Sequence, residues 1–375
     1  MVMMVDRTGT VDGFVDAIQQ VASKPGVEAL LVLSCSANNF EPQSVDAALK
    51  GVHLPLMGGV FPVLIHGGSR LETGSIVWGI QRAVAMTVVE NVSSPELDID
   101  HELERLLPKQ PSEDALQVVL VDGFSKRISA LITALHEQVG LEDTIGGGAG
   151  SLDFVQRPCL FTNQGMLQDA AVIATLSTSV GVGVSHGWSK VEGPFRVTEA
   201  DQNTIISLDW RPAFEVYREV VERHAGQSFT DDNFFDLAKA YPFGIKRLDA
   251  EHVVRDPLML GEADSLVCVG EVPQAEHVDI LHGDTQSLLN AARQAREYAD
   301  LRLSGTVELR IFMDCISRVL FLGSKFEQEL GAVQDDAPLL GACTIGEIAN
   351  HGGDFLEFYN KTAVVAALPG TEITD

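Results

Sequence analysis

Three apolar runs of strand length recur at matching distances from a glycine, and this recurrence constrains the fold more than any other feature of the chain. "EALLVLSCS", "LQVVLVDGF" and "VELRIFMDC" are near-continuous apolar stretches, the mark of a strand buried on both faces. Each leads into a helical pattern ("SVDAALKGV", "SKRISALITALHEQVG" and "SKFEQELGAV") and then into a glycine segment ("LPLMGGV", "TIGGGAGS" and "PLLGACTIG") read as a sharp turn. From strand end to glycine the intervals run Cys35 to Gly58, Asp122 to Gly146 and Cys315 to Gly341, each about two dozen residues. A further strand, "GSIVWGI", "AAVIATL" or "TAVVAAL", follows each glycine segment. The punctuation is also echoed locally: "PLMGGVFPVLIHGG" and "PLLGACTIGEIANHGG" both open on Pro-Leu and close on His-Gly-Gly. One supersecondary unit copied within the chain is the expectation.

At 375 residues the chain exceeds one ordinary domain, so the fold class expected is α/β, two packed domains built from internally repeated strand-helix-turn-strand units. An N-terminal extension with a helix, "VDGFVDAIQQVASKPG", fills residues 1–24, a first domain 25–210 and a second 211–375. The boundary is placed where "ISLDWRPAFEVYREVVERH" passes from strand to a helix starting near Pro212, because proline is tolerated in a first helical turn. "VDILHGDTQSLLNAARQAREYADLR" reads as a strand and a long helix of the second half.

Charge narrows the partners. Fifty-three acidic against 26 basic residues leave a formal charge of −27, a field that repels phosphate backbones, so nucleic acid is not an expected partner. "MVMMVDRTGTVDGF" is not a secretory signal and no run approaches a membrane span, so no membrane insertion and a cytoplasmic location are expected. The five cysteines, Cys35, Cys159, Cys268, Cys315 and Cys343, lack CxxC spacing and are expected to be reduced thiols.

Several stretches resemble a known family. "GGGAGS", "FTNQGMLQDAAVIATL" and "VGVSHGWSKVEGPFRVTEADQNTIISLDWRPAFEVY" resemble the FIST N-terminal domain. "VCVGEVPQAEHVDILHGD" and the stretch from Met313 to Leu368, with Cys315, Arg318, Gly341, Gly346, Glu347, Asn360 and Thr362 in order, resemble its C-terminal partner. The resemblance implies an intracellular ligand sensor in signal transduction, with a branch similar to haem-based nitric oxide sensors. It departs from the pattern at Phe61-Pro62, where a Gly-Glu-Ile-like continuation is common. A sensor standing alone would act through a partner kinase, cyclase or receptor, and a homodimer is kept open.

If the strands lie parallel, the loops at their C-terminal ends meet in a crevice where ligands bind. The candidate ligand-binding residues are Cys35, Asn38, Asn39, Phe61, Asp122, Cys315, Arg318, Cys343, Thr344 and Glu347. Arg318 offers a forked donor to a carboxylate, against the alternative of a structural pair with Glu347. Haem, a candidate cofactor, would need an axial ligand, for which His186, His351 and His66 stand beside glycines. The rival function is a cysteine-dependent enzyme acting on a small metabolite, with Cys315 or Cys343 as nucleophile. Glycine runs without a Lys-Ser/Thr ending, and no HExxH, weaken the phosphate and zinc readings.

Overall fold

The computed structural model describes residues 1–108, 115–140, 142–230, 232–246, 252–350 and 355–370. The chain opens with β1 (Val2–Asp6), α1 (Val11–Ala22), β2 (Ala29–Cys35), α2 (Pro42–Lys50), β3 (Leu56–Phe61), the hairpin β4 (Val63–His66) and β5 (Ser69–Leu71), and β6 (Ser75–Ile80). It continues with β7 (Val84–Glu90), α3 (Ile99–Leu106), β8 (Ala115–Asp122), α4 (Ile128–Val139), β9 (Asp143–Ala149), the hairpin β10 (Leu160–Thr162) and β11 (Gly165–Leu167), and β12 (Ala170–Ser177). A third segment starts at β13 (Gly181–Ser185) and is interrupted at once. The interruption comprises β14 (Ser189–Asp201), β15 (Thr204–Leu208), β16 (Arg211–Pro212), α5 (Ala213–Ala225), α6 (Phe234–Ala238), β17 (Phe243–Ile245), β18 (Val253–Arg255), β19 (Pro257–Leu260), β20 (Leu266–Cys268) and β21 (His277–His282). The third segment then resumes with α7 (Thr285–Arg302), β22 (Val307–Cys315), α8 (Ile316–Leu322), α9 (Phe326–Val333), β23 (Leu339–Thr344), the hairpin β24 (Glu347–Ala349) and β25 (Glu357–Tyr359), and β26 (Ala363–Pro369).

The three segments build three sheets of one strand order. They read β1-β6-β2-β3-β10-β11, β7-β12-β8-β9-β24-β25 and β13-β26-β22-β23-β4-β5. In each, a central strand pairs parallel with its successor and antiparallel with the returning strand. In each, too, the last two places are taken by a hairpin from a different segment: the first segment's hairpin completes the third sheet, the second's completes the first, and the third's completes the second. The inserted strands form a fourth sheet, ordered β18-β17-β21-β14-β15-β20-β19, with β16 on β15.

The predicted strands and helices are present, but the glycine segments are strands, not turns. They are β3, β9 and β23, and Gly58, Gly146 and Gly341 lie in register with Val32, Val119 and Phe312, three residues before Cys35, Asp122 and Cys315. A Cβ on these glycines would stand 1.9, 1.8 and 1.8 Å from the carbonyl oxygens of Val32, Val119 and Phe312. Glycine is therefore required by close backbone approach within a sheet, a demand that resembles turn chemistry in sequence. At the start of α2, Glu41 holds the N-cap and Ser44 answers it from the first turn in a capping box.

Side-chain alternation separates the cores. Leu31 and Leu33, Val118 and Leu120, and Ile311 and Met313 face a central core shared by all three sheets. Their neighbours Leu30 and Val32, Val119 and Val121, and Phe312 face outer cores roofed by helices. Each roof follows from an apolar stripe. In α1, Phe14, Ala17, Ile18 and Val21 are buried, and the Thr10 hydroxyl accepts the Gly13 amide to cap the first turn. Around the centre the segments are stitched by backbone bonds of 2.8 Å, from Ile345 to Gly148, Gly148 to Gly346 and Gly150 to Val60.

Candidate functional site

The three strand ends have different fates. At the end of β2, the Cys35 thiol donates to the Leu71 carbonyl at 3.2 Å, while the Asn38 amide donates to the Gly74 carbonyl at 2.8 Å and accepts the Gly74 amide at 2.9 Å. Burial raises the Cys35 thiol to about 12. Asn39 is exposed in a left-handed turn, its amide donating to the Ala37 carbonyl, and Phe61 is buried in the central core. This corner is occupied by its own chain.

At the end of β8, the Asp122 carboxylate accepts the Phe124 amide, the Gln156 side chain and the Asp169 amide at 3.1, 2.8 and 2.8 Å. Asp122 thus organises its loops. Beside it lies a cavity of about 220 Å³ bordered by Gly123, Ser125 and Ile345.

The end of β22 opens onto a larger cavity, of about 560 Å³. Its floor is Cys315, Ser317 and Asn360; its walls include Ile345 and Leu320, Leu152 and Phe154 from the loop after β9, and Phe235, Leu258, Met259 and Val269 from the inserted sheet and its helix. Leu152, Phe154, Phe235, Met259 and Leu320 are among the few large apolar side chains exposed anywhere in the described residues. Exposed apolar surface gathered at one concave mouth marks a binding site.

Asn360 is the polar feature of this wall. It is 1 % exposed, and its side-chain oxygen accepts an Arg255 guanidinium proton at 3.4 Å, which fixes the amide orientation. Its side-chain nitrogen then has no protein partner. Ser317 lies near the Asp256 carboxyl and Cys315 near that of Glu347, each lowering the carboxyl's pKa against the larger rise from burial.

Behind the floor lies a buried ionic cluster. Arg318 is fully buried and saturated: it donates to Glu329, to the His186 carbonyl at 2.7 Å, to the Lys361 carbonyl at 3.2 Å and to the Leu288 carbonyl at 2.9 Å, with Asp314 at 3.1 Å. Its ion-pair partners are thus Glu329 and Asp314; the alternative pair with Glu347 is not formed. Lys361, also buried, meets Asp256 at 3.0 Å and lies over the Trp188 ring. Losing one member of such a buried pair costs about 3–5 kcal/mol, so these charges hold the floor in shape.

Glu347 belongs to the same layer. Burial raises its pKa to about 8, against a hydrogen bond from Thr344 that works the other way. The Thr344 hydroxyl sits 2.8 Å from Glu347 and 3.2 Å from the Asp314 carbonyl. The Thr344 hydroxyl thus donates toward Glu347, with the Asp314 carbonyl as the longer second acceptor of the same proton. Burial also keeps Cys315 and Cys343 protonated, and Cys343 faces the outer core of the third sheet.

Of the candidate residues, the structure gathers Cys315, Arg318, Thr344 and Glu347 around one floor and leaves Cys35, Asn38, Asn39, Phe61 and Asp122 at other corners. His186 is buried behind Arg318, its ring nitrogen accepting the Trp188 amide at 2.8 Å, and burial lowers its pKa to about 3. His66 is half-buried at the end of β4, and His351 lies outside the described residues. Neither His66 nor His186 lines the cavity, so neither reaches it as an axial haem ligand. Sequence reasoning missed the apolar walls and named Asn360 only through the family resemblance. Met259 and Phe154 carry no periodic signal, and an Asn-Lys-Thr turn looks like any other.

No curated protein matches the chain. The model of the FIST N domain matches residues 29–211 and that of the FIST C domain matches residues 213–350. The chain therefore belongs to the FIST family, whose domains are associated with signal transduction and small-ligand sensing.

Proposed function

We propose that this protein senses a small molecule held in the cavity at the end of β22 and passes the signal to a partner protein. The observation that carries this reading is the composition of the walls. They come from the third segment (Cys315, Leu320), the second (Leu152, Phe154) and the inserted sheet (Met259, Val269), so an occupant bridges three parts of the fold. Filling the cavity favours the arrangement in which these parts close on the ligand, and differential affinity for the two arrangements is what a partner reads. A kinase, cyclase or receptor is the class of partner that suits a protein of this family. The thiol chemistry required by a cysteine enzyme is disfavoured, because burial holds Cys315 protonated and a nucleophile needs the thiolate.

The test is a thermal-unfolding screen of a metabolite panel against the native chain and Leu320→Trp. Leu320 is on the exposed rim, so the larger ring obstructs the mouth without entering the core. A ligand at a hundred times its Kd is expected to stabilise the native chain by about 2.7 kcal/mol and to leave the variant unchanged. Equal stabilisation of both proteins would remove the cavity from the mechanism.

A further inference from the structure

We infer that the ligand of this cavity is an uncharged, mainly apolar molecule carrying one exposed hydrogen-bond acceptor, such as a ketone or ester, received by the side-chain nitrogen of Asn360. The inference rests on the cavity being the sensing site and goes on to specify the chemistry of its occupant.

Charge is the first argument. Among the described residues the lining contains no Lys, Arg, Asp, Glu or His. The nearby cations are already committed, Lys361 to Asp256 and Arg318 to Glu329 and Asp314. A carboxylate or phosphate entering here would lose its hydration without gaining a counter-charge, and it would face the acids behind the floor. An ammonium group would find those same carboxylates engaged behind the floor, and none at the wall. An uncharged occupant incurs neither cost.

Hydrogen bonding is the second argument. The polar floor groups are unequal: Ser317 and Cys315 have the carboxyl groups of Asp256 and Glu347 as neighbours, whereas Asn360, 1 % exposed, keeps a donor with no protein partner. A buried donor left unmade is costly, so a complementary acceptor on the ligand gains what the free protein lacks. The remaining wall, from Leu152, Phe154, Leu258, Met259 and Ile345, suits a hydrocarbon body, and methionine adapts to its outline.

The experiment is calorimetric titration of the full chain at neutral pH with four probes of equal chain length: 2-decanone, 1-decene, decanoate and decylamine. The ketone is expected to bind tightest, about tenfold above the alkene for one hydrogen bond, with the ions weaker still. Asn360→Leu should lower the ketone to the level of the alkene and leave the alkene unmoved. Asn360→Asp keeps the acceptor toward Arg255 but removes the donor; it should weaken the ketone in the same way, which covers the case of a misfolded leucine variant. Tightest binding by decanoate or decylamine, binding by none of the four, or a ketone affinity unmoved in both variants overturns the inference. Leu320→Trp separates the two levels. If a charged ligand outbinds the ketone and is blocked by that variant, the cavity stands and the ligand class falls; if the ketone binds the variant unimpeded, the site itself falls.

Discussion

At the scale of single residues, three glycines let the parallel strands approach closely. Gly58, Gly146 and Gly341 stood out as turn formers, yet each sits in a strand where a side chain would collide with its parallel neighbour. Gly146→Ala places a methyl group 1.8 Å from the Val119 carbonyl oxygen, and the obstacle is backbone, which cannot rotate away. A loss of about 3 kcal/mol is expected, read as a lowered denaturant midpoint at unchanged slope; a neutral result would show that the strands are further apart than described. Arg318 was legible as a residue with work to do, since a forked donor beside a strand end rarely lacks a partner. Asp314 is only four residues away along the chain, but that Glu329 joins it was not legible, because Glu329 reaches Arg318 through the packing of α9 on α8.

Among the elements, the third strand end shows how local chemistry depends on burial. Cys315 closes β22 and Glu347 opens β24, and neither letter announces an altered proton affinity. Glu347 binds its proton more tightly folded than unfolded, with a pKa of about 8 against an ordinary 4.5. Its contribution to stability is therefore full below about 4.5 and is lost as pH rises through about 8, at no more than about 1.4 kcal/mol per pH unit. His186 acts in the opposite sense: held near 3 in the fold, it contributes stability above its ordinary 6.5 that is lost as pH falls toward 3. Denaturant unfolding of Glu347→Gln across pH 5–9 should show a flatter alkaline fall than the native chain. An unchanged slope would mean that Glu347 is ionised in the fold. The helices and strands themselves were largely readable, because amphipathic stripes such as Phe14, Ile18 and Val21 and the buried runs of β2, β8 and β22 state their own periods.

For the whole molecule, the exchange of hairpins matters most. The family boundary at Pro212 falls within the inserted sheet, between β16 and α5, while β13 from before it pairs with β26 near the chain's end. A chain of residues 1–211 would leave β13 without β26, β4 without β23 and β9 without β24. It is expected to lack a sharp thermal transition by circular dichroism, whereas the full chain melts as one unit; a cooperative melt of the fragment would mean that the exchange contributes little. The sequence by itself determined the α/β class, the threefold recurrence of strand, helix and glycine, and the family, because these depend on local period and on residues near one another along the chain. Only the tertiary structure decided which hairpin completes which sheet, that the larger cavity lies at the end of β22 and not at those of β2 or β8, and that Asn360 keeps a donor without a protein partner there. Those outcomes depend on contacts between segments a hundred residues or more apart, where no local pattern records the partner.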